Sequence, residues 1–259
     1  PGFAGDSLLE FYGPILFVMA AASIFLGGFG AIDRDNLDDL LAYSSIGQVG
    51  FIILPLAIGA TATGVVPGTG GTEIRTLAIT AALIYTVNHG LAKGGLFLVS
   101  GAVYEAVGTI EFDDLGGLSE RAPTLSAAFL VAALALVGIP PLSGFFGKFL
   151  VFDPAVQAVA VDAPGAELAL AVALAGAILT IAYFTRAWNR GFWGPPSELV
   201  EDAYSPRQQV AVVLLLVVAV VAVGIGFDPV FRAAEEAARA ATNTAAYRDA
   251  VLFLGGGLL

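Results

Sequence analysis

Cysteine is absent from the 259-residue chain, which also has one methionine, one histidine and only two lysines, Lys93 and Lys148. Without cysteine there are no disulfides, thiolate metal sites or cysteine-ligated iron–sulfur clusters. Charge is scarce as well, at 13% of residues, and acids outnumber bases 22 to 11 for a net charge of −11. That balance excludes a phosphate-neutralising surface and so argues against nucleic-acid binding. Long polar stretches are missing too, because 58% of residues are hydrophobic and the mean hydropathy is +0.86. A chain this apolar is expected to be an all-α integral membrane protein.

Six stretches are long enough to cross a bilayer as helix: 11–32, 40–64, 76–103, 124–152, 166–188 and 208–227. They are continuous and rich in Ala and Leu, which excludes the short alternating strands of a β-barrel. Residues 1–228 are read as the membrane domain and 229–259 as an amphipathic tail. In that tail Glu235 stands four residues before Arg239, the spacing of a surface helix. The acids gather in the connections 33–39, 105–121 and 198–207, and this lysine-poor acidic surface resembles that of proteins from extreme halophiles.

Arg34, Arg121, Arg186, Arg190 and Arg207 fall at one side of the expected helices and Arg75 at the other, with Arg232, Arg239 and Arg248 further along in the tail counting against the asymmetry. The positive-inside rule then puts the larger group in the cytoplasm and both termini outside. No basic stretch followed by a cleavage site opens the chain, so no secretory signal is read there. The connections are too short for a soluble catalytic domain, and the Gly68-Thr69-Gly70-Gly71 loop follows no strand, so no cofactor is expected.

The third segment carries Tyr85, Asn88, His89, Lys93 and Ser100 among apolar residues. A lysine at a bilayer centre costs about 2.5–3.5 kcal/mol, so an intramembrane lysine is a functional candidate by default. Lysine, unlike arginine, can give up its proton when buried. His89 and Lys93 are four apart and share a helix face, where two cations repel and at most one is charged at a time. Gly90 and Gly94 leave room beside them for a helix or for water.

In the fourth segment Pro140 and Pro141 remove two amide donors and must break the helix, with Ser143, Gly144 and Gly147 favouring an unwound stretch. Lys148 follows the break; because Asp153-Pro154 soon ends the segment it could by position be an interfacial lysine, and the break tilts the reading toward function. A broken membrane helix is tolerated where it packs inside protein or lines a hydrated cavity. Tyr43, Ser44, Ser45 and Gln48 in the second segment, and Thr180, Tyr183 and Thr185 in the fifth, could support a water wire, but interhelical hydrogen bonds are the favoured reading. Arg186, Trp188, Arg190 and Trp193 read as an interfacial anchor.

Four motifs, Leu40-Leu41-Ala42-Tyr43-Ser44-Ser45-Ile46-Gly47-Gln48, Asn88-His89-Gly90-Leu91-Ala92-Lys93, the run 138–148, and Arg186-Ala187-Trp188 through Phe192-Trp193-Gly194, occur in that order. Together they resemble the antiporter-like subunits shared by respiratory complex I and the multisubunit Mrp-type cation/proton antiporters. The Phe-Trp-Gly ending resembles the D-type Mrp subunits most. The resemblance implies two inverted five-helix repeats in the whole subunit, of which this chain corresponds to the second plus one further helix. It also implies that His89 and Lys93 lie on a central polar axis and that Lys148 is the terminal proton site toward an outer half-channel.

The expected function is therefore proton translocation coupled to sodium or another monovalent cation. The expected partners are other antiporter subunits in a hetero-oligomeric membrane complex, with a separate polypeptide or an N-terminal half supplying the glutamate–lysine pair of the first repeat. A redox-driven proton-pumping subunit and a non-conducting scaffold are the alternatives. One departure is that Asp38 and Asp39 stand where the family usually has a basic pair, which implies surface adaptation or an altered cytoplasmic contact.

Overall fold

A computed structural model describes residues 5–62, 64–66, 71–204, 206–243 and 245. Among these residues the fold is helical, and the only β features are two isolated bridges, Asn36 with Glu111 and Val65 with Glu73. The long helices are α1 (Gly5–Ile32), α2 (Leu37–Thr61), α3 (Ile74–Val107), α5 (Pro123–Val137), α6 (Ser143–Ala160), α7 (Ala166–Ala187), α9 (Arg207–Ile225) and α10 (Phe227–Thr242). Two short turns, α4 (Leu118–Arg121) and α8 (Glu198–Glu201), lie in the connections. Residues 68–70 of the glycine-rich loop, and the tail from 246 onward with Arg248, lie outside the described residues.

Four helices, α1, α2, α9 and the α7 span running on to Phe192, are long and apolar enough to cross a membrane. The other two hydrophobic segments become α3 and the pair α5–α6. At 34 residues α3 is about 50 Å long, and polar groups near its middle dilute its hydropathy. It packs against α2, α5, α6, α9 and α10 and is the axle of the fold.

The expected break at Pro140-Pro141 is present but smaller than the sequence implied. α5 ends at a left-handed Gly138, and α6 starts at Ser143 after an extended Leu142. Ser143, Gly144 and Gly147 are therefore helical, which corrects the expectation that they extend the unwound stretch. Their smallness serves close approach: a Cβ at Gly144 would overlap the Ala135 carbonyl oxygen. Across the break, a Cβ at Gly224 of α9 would overlap the Pro141 carbonyl oxygen.

Asp153-Pro154 does not end the helix either, since α6 runs through Pro154 to Ala160. A buried face of Leu150, Val151, Pro154, Ala155 and Ala158 holds it together there, against a proline penalty of about 3 kcal/mol. The tail helix starts slightly earlier than expected, at Phe227. Its apolar face, with Phe227, Phe231 and Ala234, packs on Ala81, Ile84 and Leu150, while Arg232 and Arg239 stay exposed in i,i+4 pairs with Asp228 and Glu235.

Two apolar cores stack along the bundle. One joins the start of α2, the end of α3, α5, the end of α7 and α9; the other joins α1, the end of α2, the start of α3, α6 and the start of α7. The buried lysines and their polar neighbours lie where the two cores meet.

Candidate proton-relay site

Asn36 caps α2 by accepting from the Asp39 amide at 2.8 Å, and Asp38 and Asp39 occupy its first turn, where negative charge suits the helix dipole. Asp38 also accepts from Ser100 of α3 at 2.6 Å. The acidic pair thus has a local role in starting α2 and fastening it to α3. With the register set this way, Leu41, Ser44 and Gln48 lie on the α2 face toward α3 and α7.

Lys93 is 4% exposed. Its Nζ donates to the Leu41 carbonyl at 2.9 Å and to Ser44 Oγ, and it lies 5.9 Å from the centre of the Phe184 ring. The same Leu41 carbonyl accepts from Ser44 Oγ at 3.0 Å and from Ser45 Oγ at 2.8 Å. These contacts are hydrogen bonds and ring faces, which solvate an ammonium without fixing it as half of an ion pair.

Lys148, 5% exposed, is held by a group that the break creates. The last four carbonyls of a helix lack intrahelical partners. Lys148, in the second turn of α6, reaches back and donates to one of them, Leu136 O at the end of α5, at 2.9 Å. Its Nζ also lies 4.8 Å from the centre of the Phe51 ring. The double proline therefore does more than bend the segment: it supplies the acceptor for the amine.

Between the lysines runs a line of hydroxyls and one amide. Gln48 Nε2 donates to Tyr183 Oη at 2.8 Å and to Thr180 Oγ1 at 3.3 Å, and Tyr85 donates to Gln48 Oε1. Ser44, which holds Lys93, is one helical turn from Gln48 on the same face of α2. The Tyr85 ring packs 5.8 Å from that of Phe51, whose face Lys148 overlies. Hydrogen bonds thus join Lys93 to Ser44 and, one turn further along α2, Gln48 to Thr180, Tyr183 and Tyr85, and an aromatic ring separates Tyr85 from Lys148.

Of the residues singled out from sequence, Lys93, Ser44 and Gln48 come together directly. Ser143 joins by donating to Asn88 Oδ1 at 2.8 Å, tying α6 to α3 just past the break. Pro140 and Pro141 shape the Lys148 acceptor. Tyr43 points elsewhere: Arg34 lies over its ring at 4.7 Å, at the surface end of the bundle. His89 makes no hydrogen bond to Lys93; its Nδ1 and the neighbouring Asn88 Nδ2 are buried without a hydrogen-bond partner among the described residues. Gly94 receives Leu216 of α9 at 3.5 Å from a would-be Cβ, whereas Gly90 faces open space. Tyr85, Tyr183 and Thr180 stand out in the sequence, the last two as the interhelical hydrogen-bonding residues they are, but sequence reasoning did not place them around Gln48. Their one available signal was helical register with Ser44 and Gln48 on neighbouring spans.

At one end of the bundle, Arg186 and Arg190 grip Asp35, at 3.2 and 2.7 Å. Arg190 also pairs with Asp113, and Arg186 donates to the Arg34 carbonyl. This clasp pins the α1–α2 and α3–α4 connections to the π-helical turn Trp188–Phe192 that follows α7. Trp188 stacks on Phe192 at 5.4 Å, and Trp193 is exposed.

Comparison with known proteins finds the membrane-spanning family described as NADH:quinone oxidoreductase/Mrp antiporter over residues 6–173. The N-type component of the NADH-quinone oxidoreductase of Desulforudis audaxviator is 35% identical over 69% of this chain and 31% of its own length. The D-type component of the Na(+)/H(+) antiporter of Alkalihalophilus pseudofirmus is 28% identical over 92% of this chain and 44% of its own length. In structure, a chain of the Mrp complex from Dietzia sp. superposes with a TM-score of 0.78 at 24% identity, covering 94% of this chain and 50% of that one. A chain of respiratory complex I from Thermus thermophilus gives 0.69 at 26% identity, covering 88% and 45%. The chain spans less than half the length of these two curated relatives.

Proposed function

The chain belongs to the family of membrane subunits shared by NADH:quinone oxidoreductases and Mrp antiporters, and on that premise we propose that it carries protons through part of a multisubunit monovalent cation/proton antiporter. One observation carries the reading: two buried lysines on α3 and α6 are solvated by carbonyls, a hydroxyl and ring faces, and a buried polar layer around Gln48 lies between them. An amine held this way can exist with or without its proton, whereas a salt-bridged one is pinned in the charged form. In the proposed cycle Lys93 takes a proton from the Arg34 end of the bundle. The proton crosses to Lys148, and repulsion from the next cation at Lys93 expels it toward the Arg75 end. Asn88 Nδ2 and His89 Nδ1 are the places where waters would join the line to the break.

Sodium is the proposed coupling ion because a component of a Na(+)/H(+) antiporter aligns with 92% of the chain. The remaining proton sites would come from sequence or partners beyond this half-length match. In the cell membrane, the five arginines Arg34, Arg121, Arg186, Arg190 and Arg207 at one end put that end in the cytoplasm, with Gly5 and Thr242 outside. Lys93→Ala and Lys148→Ala in the whole assembly should each abolish proton transport in proteoliposomes while co-purification of the other subunits is unchanged. Proton flux that survives both substitutions refutes the reading.

The 35% identity to a component of an NADH-quinone oxidoreductase supports a second reading, a proton pump powered by redox chemistry in other chains. Co-purification with flavin or iron–sulfur proteins would favour it. Sodium-stimulated proton flux without any electron donor would favour the antiporter.

A further inference from the structure

We propose that Gln48 is an insulating clamp at the centre of the polar layer between Lys93 and Lys148, so that protons pass it only when its amide is released. The inference rests on the proton-carrying reading above and adds a gate to it.

The orientation of the amide is fixed by its neighbours. Thr180 Oγ1 spends its single proton on the Gly176 carbonyl at 2.8 Å, so toward Gln48 it can only accept. Nε2 must therefore face Thr180 and Tyr183, which leaves Oε1 to accept from Tyr85. Gln48 is 1% exposed, and Tyr85 and Tyr183 are 0% and 2% exposed, so no bulk water offers a way round within this layer.

An amide so placed joins two phenols by hydrogen bonds but does not relay a proton between them. Toward Lys148, a proton from Tyr183 meets Nε2, which has no free lone pair, and Oε1 holds no proton to pass to Tyr85; in the reverse sense, a proton arriving at Oε1 from Tyr85 could leave on the far side only if Nε2 gave one of its own to Tyr183. That would leave Gln48 as the imidic acid, C(OH)=NH, a tautomer far less stable than the amide. A carboxyl group of the same shape has no such barrier: it takes a proton on one oxygen, releases one from the other, and is chemically unchanged. Gln48 thus supplies polarity, which keeps the line assembled, while blocking passage. Turning its side chain off Tyr85 or Tyr183 would let water take its place and open the line. An insulator of this kind is what a coupled transporter needs to prevent a proton leak when its driving ion is absent.

The test uses membrane vesicles holding the whole assembly, with a proton gradient imposed and no coupling cation, and a pH-sensitive dye as readout. Gln48→Glu should raise the passive proton leak roughly tenfold or more, the scale on which a positioned proton-transfer group acts. Adding Tyr183→Phe to Gln48→Glu should return the leak to the wild-type level, because the relay loses its next hydroxyl. Vesicles with Gln48→Glu as tight as wild type, or a leak indifferent to Tyr183→Phe, overturn the proposal. If Gln48→Glu fails to assemble, Gln48→Ala decides: it removes the amide and leaves room for water between the hydroxyls of Tyr85, Tyr183 and Thr180, so a raised leak supports the clamp and an unchanged one overturns it. Lys93→Ala measured in parallel separates the two claims. Transport spared by Lys93→Ala sinks the proton-carrying reading, whereas a tight Gln48→Glu beside a dead Lys93→Ala sinks only the clamp.

Discussion

At the Arg34 end of the bundle, two arginines share the Asp35 carboxylate and one also holds Asp113, so cation meets anion at the surface. Midway along α3 and just past the break in α6, two lysines meet carbonyls and ring faces instead. The exposed pairs are cheap to make and contribute little, because water and salt screen them. The buried lysines cost several kcal/mol to desolvate, and hydrogen bonds return only part of that. The two regions also divide the cations by type, with permanently charged arginine in the surface pairs and lysine, which can release its proton, at the proposed proton sites. A fold that tolerates the second arrangement twice gives up stability to keep two titratable amines inside.

The largest effect that would break this contrast comes from the lysines themselves. Lys93→Met and Lys148→Met should each lower proton transport by at least ~100-fold, the loss typical of removing a proton-transfer group. Unfolding in detergent should show each variant neutral to about 2 kcal/mol more stable, since a costly buried charge disappears while one or two carbonyls lose a donor. Clear destabilisation would mean that the lysines are structural. Lys148→Arg sharpens the point: it keeps the charge and the reach to Leu136 O but cannot release a proton, so transport should be lost as fully as with methionine.

A smaller effect is expected at the break. Gly144→Ala places a methyl group against the Ala135 carbonyl and must push α6 away from α5, costing about 1–3 kcal/mol of overpacking. Because that shift also separates Lys148 from Leu136 O, transport should fall together with thermal stability. A fall in stability without loss of transport would show that the lysine does not need its carbonyl.

Much of this was legible in the residues. Six apolar runs, a double proline and two intramembrane lysines mark the helical segments, the break and the proposed proton sites by type alone. What was illegible depends on groups that carry no sequence signature. The acceptor for Lys148 is a backbone carbonyl, present at every residue and freed only because the break falls where it does. Tyr85, Tyr183 and Thr180 look like any hydroxyl in a membrane helix until register places them around Gln48. The continuation of α6 through Pro154 was hidden because a local rule about proline lost to a buried face made with other helices. His89 is the reverse case: its spacing from Lys93 promised a pair, but the Lys93 side chain leaves α3 for α2.

The smallest expected effect belongs to the surface clasp. Arg190 first, and then Arg186, hold the Asp35 carboxyl below its ordinary value of 3.8 through hydrogen bonds reinforced by charge. A carboxyl depressed in the folded state adds stability that is fully present above the unfolded value and is lost as pH falls through the lower folded one. The contribution of Asp35 should therefore be constant from neutral pH down to about pH 5 and disappear only in strong acid. Asp35→Asn should abolish that acid-side dependence and shift the unfolding midpoint slightly at low ionic strength. At high salt, where an exposed pair is screened, the difference from wild type should close. Proton transport should be unchanged, because the carboxylate lies outside the line from Lys93 to Lys148. If Asp35→Asn stopped transport as Lys93→Met does, the paired surface charges would belong to the proton path, and the division between permanent and movable charge would fail at its simpler end.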